Sequence, residues 1–262
     1  MPDNRLNRLL RLRSRNLLAI YFTAGYPKLE DTLDILLALE KSGVDLVEIG
    51  IPYSDPMADG PVIQESGMKA ISNGMSLKVL FGQLQGIRKT ISIPLLMMGY
   101  FNQMLQYGVD AFLDDCVETG IDGLIIPDLP LYEYETLYRE KFLSREISIC
   151  FLLTPQTEEA RIREIDRLST GFIYVVSDSS ITGVKEGISP DQLAYFERIG
   201  SLGLETPQLI GFGISNSHGF ETVCRHASGG IIGSAFIRHL GQGGNVAGAV
   251  ATFVESIRHL KP

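Results

Sequence analysis

Eight short apolar segments recur along this chain, each followed by a stretch of helical periodicity, and no other feature restricts the fold as much. They lie at 17–23 (LLAIYFT), 46–51 (LVEIGI), 93–100 (IPLLMMGY), 121–127 (IDGLIIP), 147–153 (ISICFLL), 171–177 (GFIYVVS), 208–213 (QLIGFG) and 230–235 (GIIGSA). Between them, Leu33, Leu36, Leu37 and Leu39 before Gly43, and Ile162, Ile165 and Leu168 before Gly171, are spaced as helical faces. Ser189-Pro190-Asp191-Gln192 carries the chemistry of a helix start, an N-cap with Pro at N1 and Gln at N3. Apolar strands alternating with helices build a parallel sheet covered on both faces. Eight such units in about 250 residues predict a (β/α)8 TIM barrel. An open doubly wound sheet competes with it, but the first strand runs into Thr23-Ala24-Gly25-Tyr26-Pro27 and not into a G-x-G-x-x-G turn. No linker-like or low-complexity run interrupts the chain, so residues 1–262 are expected to form a single domain.

A net charge of −8 repels phosphate backbones and argues against nucleic acid as a partner. The local exception is Arg5, Arg8, Arg11, Arg13 and Arg15, interleaved with Leu6, Leu9 and Leu10 at helical spacing. A transit peptide is the sharper alternative, but Asp3 and the single Ser14 weigh against it. The expectation is a cap helix within 1–15, with a solvated basic face, closing the bottom of the barrel. No apolar run reaches the roughly 18–20 residues of a membrane span, so no membrane is expected as a partner. Cys116, Cys150 and Cys224 are odd in number and sit in apolar context, as core thiols do in a reducing cytosol, which makes the expected location cytoplasmic. His218, His226, His239 and His259 show no ligand spacing, and no metal site is expected.

The costly residue is Glu48, in the middle of an apolar strand. Alternation puts Leu46, Glu48 and Gly50 on one side, and Val47, Ile49 and Ile51 on the other. Burial disfavours the charged carboxylate and raises its pKa toward the working pH, as a general acid or base requires. A buried Glu held by a salt bridge or by backbone donors fits the same position, and both readings stay open here. In barrels of this kind the active site lies where the strands end. Gly211-Phe212-Gly213-Ile214-Ser215, Gly233-Ser234 and Ser177-Asp178-Ser179-Ser180-Ile181-Thr182-Gly183 all follow strands, and backbone N–H groups beside glycine admit a phosphate closely. A phosphorylated ligand is expected. With no lysine at a clear strand end and no metal cluster, the chemistry falls to carboxylates and hydroxyls.

The segment LVEIGIPYSDPMADGP at 46–61, GYFN at 99–102, IPDLP at 126–130, SITG at 180–183, GFGIS at 211–215 and GS at 233–234 together resemble the tryptophan synthase α-subunit family. The resemblance covers nearly the whole chain, and the 52–61 run is its most specific part. It implies a lyase that cleaves indole-3-glycerol phosphate reversibly to indole and glyceraldehyde 3-phosphate, in tryptophan biosynthesis. By the same matching Glu48 is the catalytic acid/base and Asp59 the second catalytic carboxylate. Tyr21, Tyr100, Tyr174, Thr182, Gly183, Phe212, Gly213, Gly233 and Ser234 fall on ligand positions. Without the resemblance Asp59-Gly60-Pro61 is a solvated turn and Tyr174 is plain core. The implied partner is a β subunit in an α2β2 heterotetramer, which would carry pyridoxal phosphate, with no cofactor on this chain. Pro52 and Asp55 would contact that partner, and residues 178–190 would close over the ligand. Asp178 and Ser180 depart from the family pattern, where an Arg and a Gly are usual. Two alternatives remain beside the lyase: a silent subunit that only binds and activates β, and another phosphate-binding barrel isomerase.

Overall fold

The computed structural model describes residues 1–176, 188–211 and 213–258. Its strands are β1 (Leu17–Thr23), β2 (Leu46–Gly50), β3 (Leu95–Met98), β4 (Gly123–Ile125), β5 (Ser148–Cys150), β6 (Leu152–Leu153), β7 (Ile173–Val176), β8 (Gln208–Gly211) and β9 (Gly229–Ile232). Every pairing is parallel, in the order β5-β4-β3-β2-β1-β9-β8-β7-β6. The expected fifth strand, 147–153, is divided at Phe151: its first half pairs with β4 and its second with β7. Eight expected strands therefore become nine, because this segment changes neighbours halfway along. The change of partner is what closes the ring, and the Phe151 carbonyl accepts from Tyr174 N–H at 2.9 Å across the join.

Strand alternation sorts the side chains as the sequence predicts. Leu17, Ala19, Leu46, Leu96, Ile125, Cys150, Phe172, Leu209 and Ile231 share one cluster inside the barrel. Val47, Ile49 and Ile51 join the larger shell between barrel and helices. Each such aliphatic side chain stabilises the fold by roughly 1.5–3 kcal/mol relative to exposure.

Helix α1 (Arg5–Leu12) begins at Asn4, whose side chain accepts from Asn7 N–H at 3.0 Å. Its Leu6 and Leu10 enter the interior cluster, so the helix plugs the barrel from the side where the strands begin. Its basic face is not simply solvated. Arg5 pairs with buried Asp122 at 3.2 Å, and Arg13, just past the helix, pairs with buried Asp45. Arg88 and Arg258 meet the same two acids, whereas Arg8 and Arg11 stay outside, on exposed Asp3, and Arg15 is exposed as well. The reason is the cost of a buried charge. Asp45 and Asp122 stand immediately before β2 and β4, and each accepts a backbone N–H of a neighbouring strand, from Leu18 at 2.7 Å and Leu95 at 3.0 Å.

Helix α2 (Asp31–Lys41) follows β1, and helix α3 (Pro61–Ser72) follows β2. The helix Pro190–Ser201 starts at the expected cap, with Ser189 Oγ accepting from Gln192 N–H at 3.3 Å and Ser189 N–H donating to Gln192 Oε1 at 2.7 Å. Among the described residues, no helix is long and apolar enough to cross a membrane, and no three His, Cys, Asp or Glu converge on a metal position.

Candidate active site

Glu48 points into the barrel, fully buried, one layer above Leu46. Neither carboxyl oxygen has a hydrogen-bond partner among the described residues. Among those residues nothing supports the salt-bridge or backbone-donor reading. Burial alone pushes the Glu48 carboxyl up to about 8.

Two tyrosines stand around it, each accommodated by a glycine on the next strand. A Cβ on Gly50 would lie 2.1 Å from the Tyr21 hydroxyl, and one on Gly211 would lie 2.3 Å from the Tyr174 ring. Tyr21 is buried and Tyr174 half-buried. Burial raises both phenols, and the Glu48 and Asp59 charges raise them further. Both tyrosines thus share the barrel interior with Glu48. Cys150, read from sequence as a core thiol, is buried and free, and its thiol is raised by burial and by the Glu48 charge.

Asp59 lies in the loop between β2 and α3, and it is not a solvated turn tip. Its Oδ2 accepts from the Tyr100 hydroxyl at 3.0 Å, and that hydroxyl accepts from Ala58 N–H at 2.9 Å. Burial raises the Asp59 carboxyl, and the Tyr100 hydrogen bond opposes the shift. Gln64, on the first turns of α3, donates to the Asp59 carbonyl at 2.8 Å. The Tyr53 ring stacks on Tyr100 with centroids 5.1 Å apart, and Asn102 donates to the Tyr53 hydroxyl at 3.1 Å. Gln103 donates to the Pro52 carbonyl at 3.0 Å. The segment 100–103 thereby clamps the loop from Pro52 to Asp59. The holding roles of Tyr53 and Gln64 were not legible in sequence, because their partners lie across the fold or at the far end of a turn. Asp55 remains exposed, bonded to Ser54 at 2.5 Å, and Met57 is 87% exposed.

On the opposite rim Gly213 follows β8 with φ +30°, and a Cβ there would meet nothing within 4 Å. Gly233 follows β9 directly, and Ser234 opens the helix Ser234–Leu240. Gly233 packs near Tyr21, its Cβ position 3.3 Å from that ring. Thr182, Gly183 and Phe212 lie outside the described residues, as do Asp178, Ser180 and most of the 178–190 segment.

A parallel barrel whose mouth holds a buried carboxyl with no partner among the described residues, and a second carboxyl held by a tyrosine, is a scaffold for acid–base chemistry. Residues 8–261 match the family model for the tryptophan synthase alpha chain, and the chain belongs to that family. A tryptophan synthase alpha chain from Flavobacterium johnsoniae is 53% identical over 97% of this chain and 100% of its own. One from Parabacteroides distasonis is 48% identical over 97% and 99%. Among solved structures, the tryptophan synthase complex from Pyrococcus furiosus superposes with TM-score 0.86 at 31% identity, covering 95% of this chain and 100% of that one. The subunit alpha from Legionella pneumophila gives TM-score 0.86 at 30% identity, covering 98% and 97%. Family membership makes this chain a lyase of tryptophan biosynthesis, the α subunit of tryptophan synthase.

Proposed function

We propose that the barrel mouth carries out the α reaction with Glu48 as the proton-moving group and Asp59 as the electrostatic one. The observation that carries this reading is the Glu48 carboxyl, without a hydrogen-bond partner among the described residues and pushed up to about 8 by burial, which keeps it protonated at neutral pH. Protonated Glu48 gives its proton to C3 of the indole ring and forms an indolenine-like tautomer. The carboxylate left behind takes the proton of the C3′ hydroxyl as the C3–C3′ bond breaks. The electron pair of that bond returns to the ring, indole and glyceraldehyde 3-phosphate form, and Glu48 is protonated again. While the ring is positive, ionised Asp59 accepts the indole N–H and stabilises the charge more than in the ground state. Tyr100 donates to Asp59 in a way that favours its ionised form.

The ligand phosphate is assigned to Gly213, where a Cβ would meet nothing within 4 Å, and to Gly233 and Ser234 at the start of the following helix, with Thr182, Gly183 and Phe212 completing the site and Tyr21 and Tyr174 walling it. Residues 1–262 act as one domain in the cytoplasm. The partner is a β subunit that supplies pyridoxal phosphate and consumes indole, in an α2β2 assembly reached through Pro52 and Asp55. Indole release from indole-3-glycerol phosphate, with and without that partner, tests the reading. Glu48→Gln keeps the shape and removes the titrating proton, so turnover is expected to fall by ~10²–10⁴. A variant that keeps more than a tenth of the activity overturns the role of Glu48. A native chain inactive in both assays is the silent subunit instead.

A further inference from the structure

Glu48 must ionise within each turnover, yet what lies beneath it cannot receive a charge. Leu46, Leu96, Phe172 and Leu209 fill the barrel interior there. A donor for the new carboxylate comes from the mouth side, where the titratable groups facing Glu48 among the described residues are Tyr21 on β1, Cys150 on β5 and Tyr174 on β7. Asp59 faces both tyrosines.

The two tyrosines are built alike. In the strand register Thr23 stands beside Gly50 and Val176 beside Gly211, so each tyrosine leans two residues up its strand across a side-chain-free position. Tyr21 differs in three respects. It is the register partner of Glu48 itself. Its ring has a second wall, since a Cβ on Gly233 would lie 3.3 Å away, so it is held between Gly50 and Gly233. It is also buried, whereas the Tyr174 side chain is only half-buried.

We infer that Tyr21 is a positioning residue for Glu48: its hydroxyl donates a hydrogen bond to the carboxylate that forms when the acid gives up its proton, and keeps that carboxylate facing the mouth. The inference rests on the acid–base reading of Glu48. Tyr21 keeps its own proton throughout, because burial and the acids around it raise the phenol well above its ordinary range. The proton balance of the reaction is therefore unchanged, and only the ionised intermediate state gains a donor.

The test is the titration of the Glu48 side-chain carboxyl, followed by carbon-13 NMR in the full chain carrying labelled glutamate, in native, Tyr21→Phe and Tyr174→Phe forms. Losing a donor to the ionised form raises a carboxyl pKa, so the Glu48 midpoint is expected to rise by about one pH unit in Tyr21→Phe. The kcat for indole release is expected to fall about tenfold while KM stays within about twofold, as for an interaction made only during the chemical step. Replacing Tyr21 by 3-fluorotyrosine keeps the hydroxyl and makes it a stronger donor, so the midpoint is expected to fall, a direction that general damage to the fold does not produce. A midpoint that stays in place in Tyr21→Phe, or one that moves only in Tyr174→Phe, overturns the inference. If Glu48→Gln retains its activity the underlying acid–base reading fails. An inactive Glu48→Gln with an unmoved midpoint in Tyr21→Phe removes Tyr21 alone.

Discussion

In the proposed reaction single carboxyls carry most of the chemistry, and Glu48 also makes stability depend on pH. Glu48 ordinarily titrates at 4.5, and in the fold it does so at about 8. Below the lower value it is protonated in both the folded and unfolded chain. Between the two values the folded chain holds a proton that the unfolded chain has lost, so this contribution to stability declines as pH climbs through that window. Glu48→Gln cannot ionise and should lose that slope. Urea unfolding at about pH 4 should find native and variant close together, and at about pH 9 the variant more stable by on the order of a few kcal/mol. A difference that does not change with pH would show that the carboxyl is partnered after all. That Glu48 shares a side with Leu46 and Gly50 was legible from strand alternation. That this side faces the interior, and that no described residue answers the carboxyl, was not, because both depend on the surrounding strands and not on residues 46–51. Asp59 is the converse case: its neighbours suggest a turn, and Tyr100, far along the chain, gives it a fixed place.

Elements formed where local chemistry asked for them, and the informative departures are those with a long-range cause. The start at Ser189 was written in four consecutive residues and needed nothing from outside. The split of 147–153 at Phe151 was not written locally, since pairing with β4 on one side and β7 on the other exists only once the ring closes. Helix α1 was legible as amphipathic, but its basic face was misjudged because Asp45 and Asp122 reach it only through the fold. Its hold on the barrel is testable. Leu6 is completely buried in the interior cluster, so Leu6→Ala should cost about 2–5 kcal/mol in urea unfolding while the fold at the mouth keeps its chemistry. A loss under about 1 kcal/mol would mean that the plug packs loosely and can collapse around the gap.

At the scale of the whole molecule, the loop after β2 is where the proposed catalysis and the proposed assembly would meet. Pro52, Tyr53, Ala58 and Asp59 are tied to residues 100–103, whereas Asp55 and Met57 stay exposed on the outer side. A stiff segment of this kind loses little conformational entropy on docking. Because the same loop carries Asp59, a β subunit that settles it should also settle the catalytic carboxylate. Asp55→Ala is expected to weaken association with β, measured by calorimetry, and to leave turnover of the isolated chain within a few-fold. By reciprocity a glycerol-phosphate ligand at the mouth should tighten the complex by ~1–3 kcal/mol. Unchanged affinity in both experiments would return Ser54-Asp55-Pro56 to the role of a solvated turn.

By itself the sequence determined the parallel barrel, the two-sided sorting of β2, the cap at Ser189 and the membership of Glu48 and Asp59 in one strand-end unit. These follow from local rules, the alternation of side chains, the spacing of apolar residues and the chemistry of helix starts, which act over a few residues. Only the tertiary structure decided that the Glu48 side of β2 faces the interior, that Glu48 lacks a partner among the described residues, that Tyr100 and Gln64 hold Asp59, that Tyr21 and Tyr174 lie across Gly50 and Gly211, and that arginines near the chain start neutralise acids at Asp45 and Asp122. Whether a buried polar atom has a partner depends on which strands and helices arrive beside it, and those are set by closure of the ring.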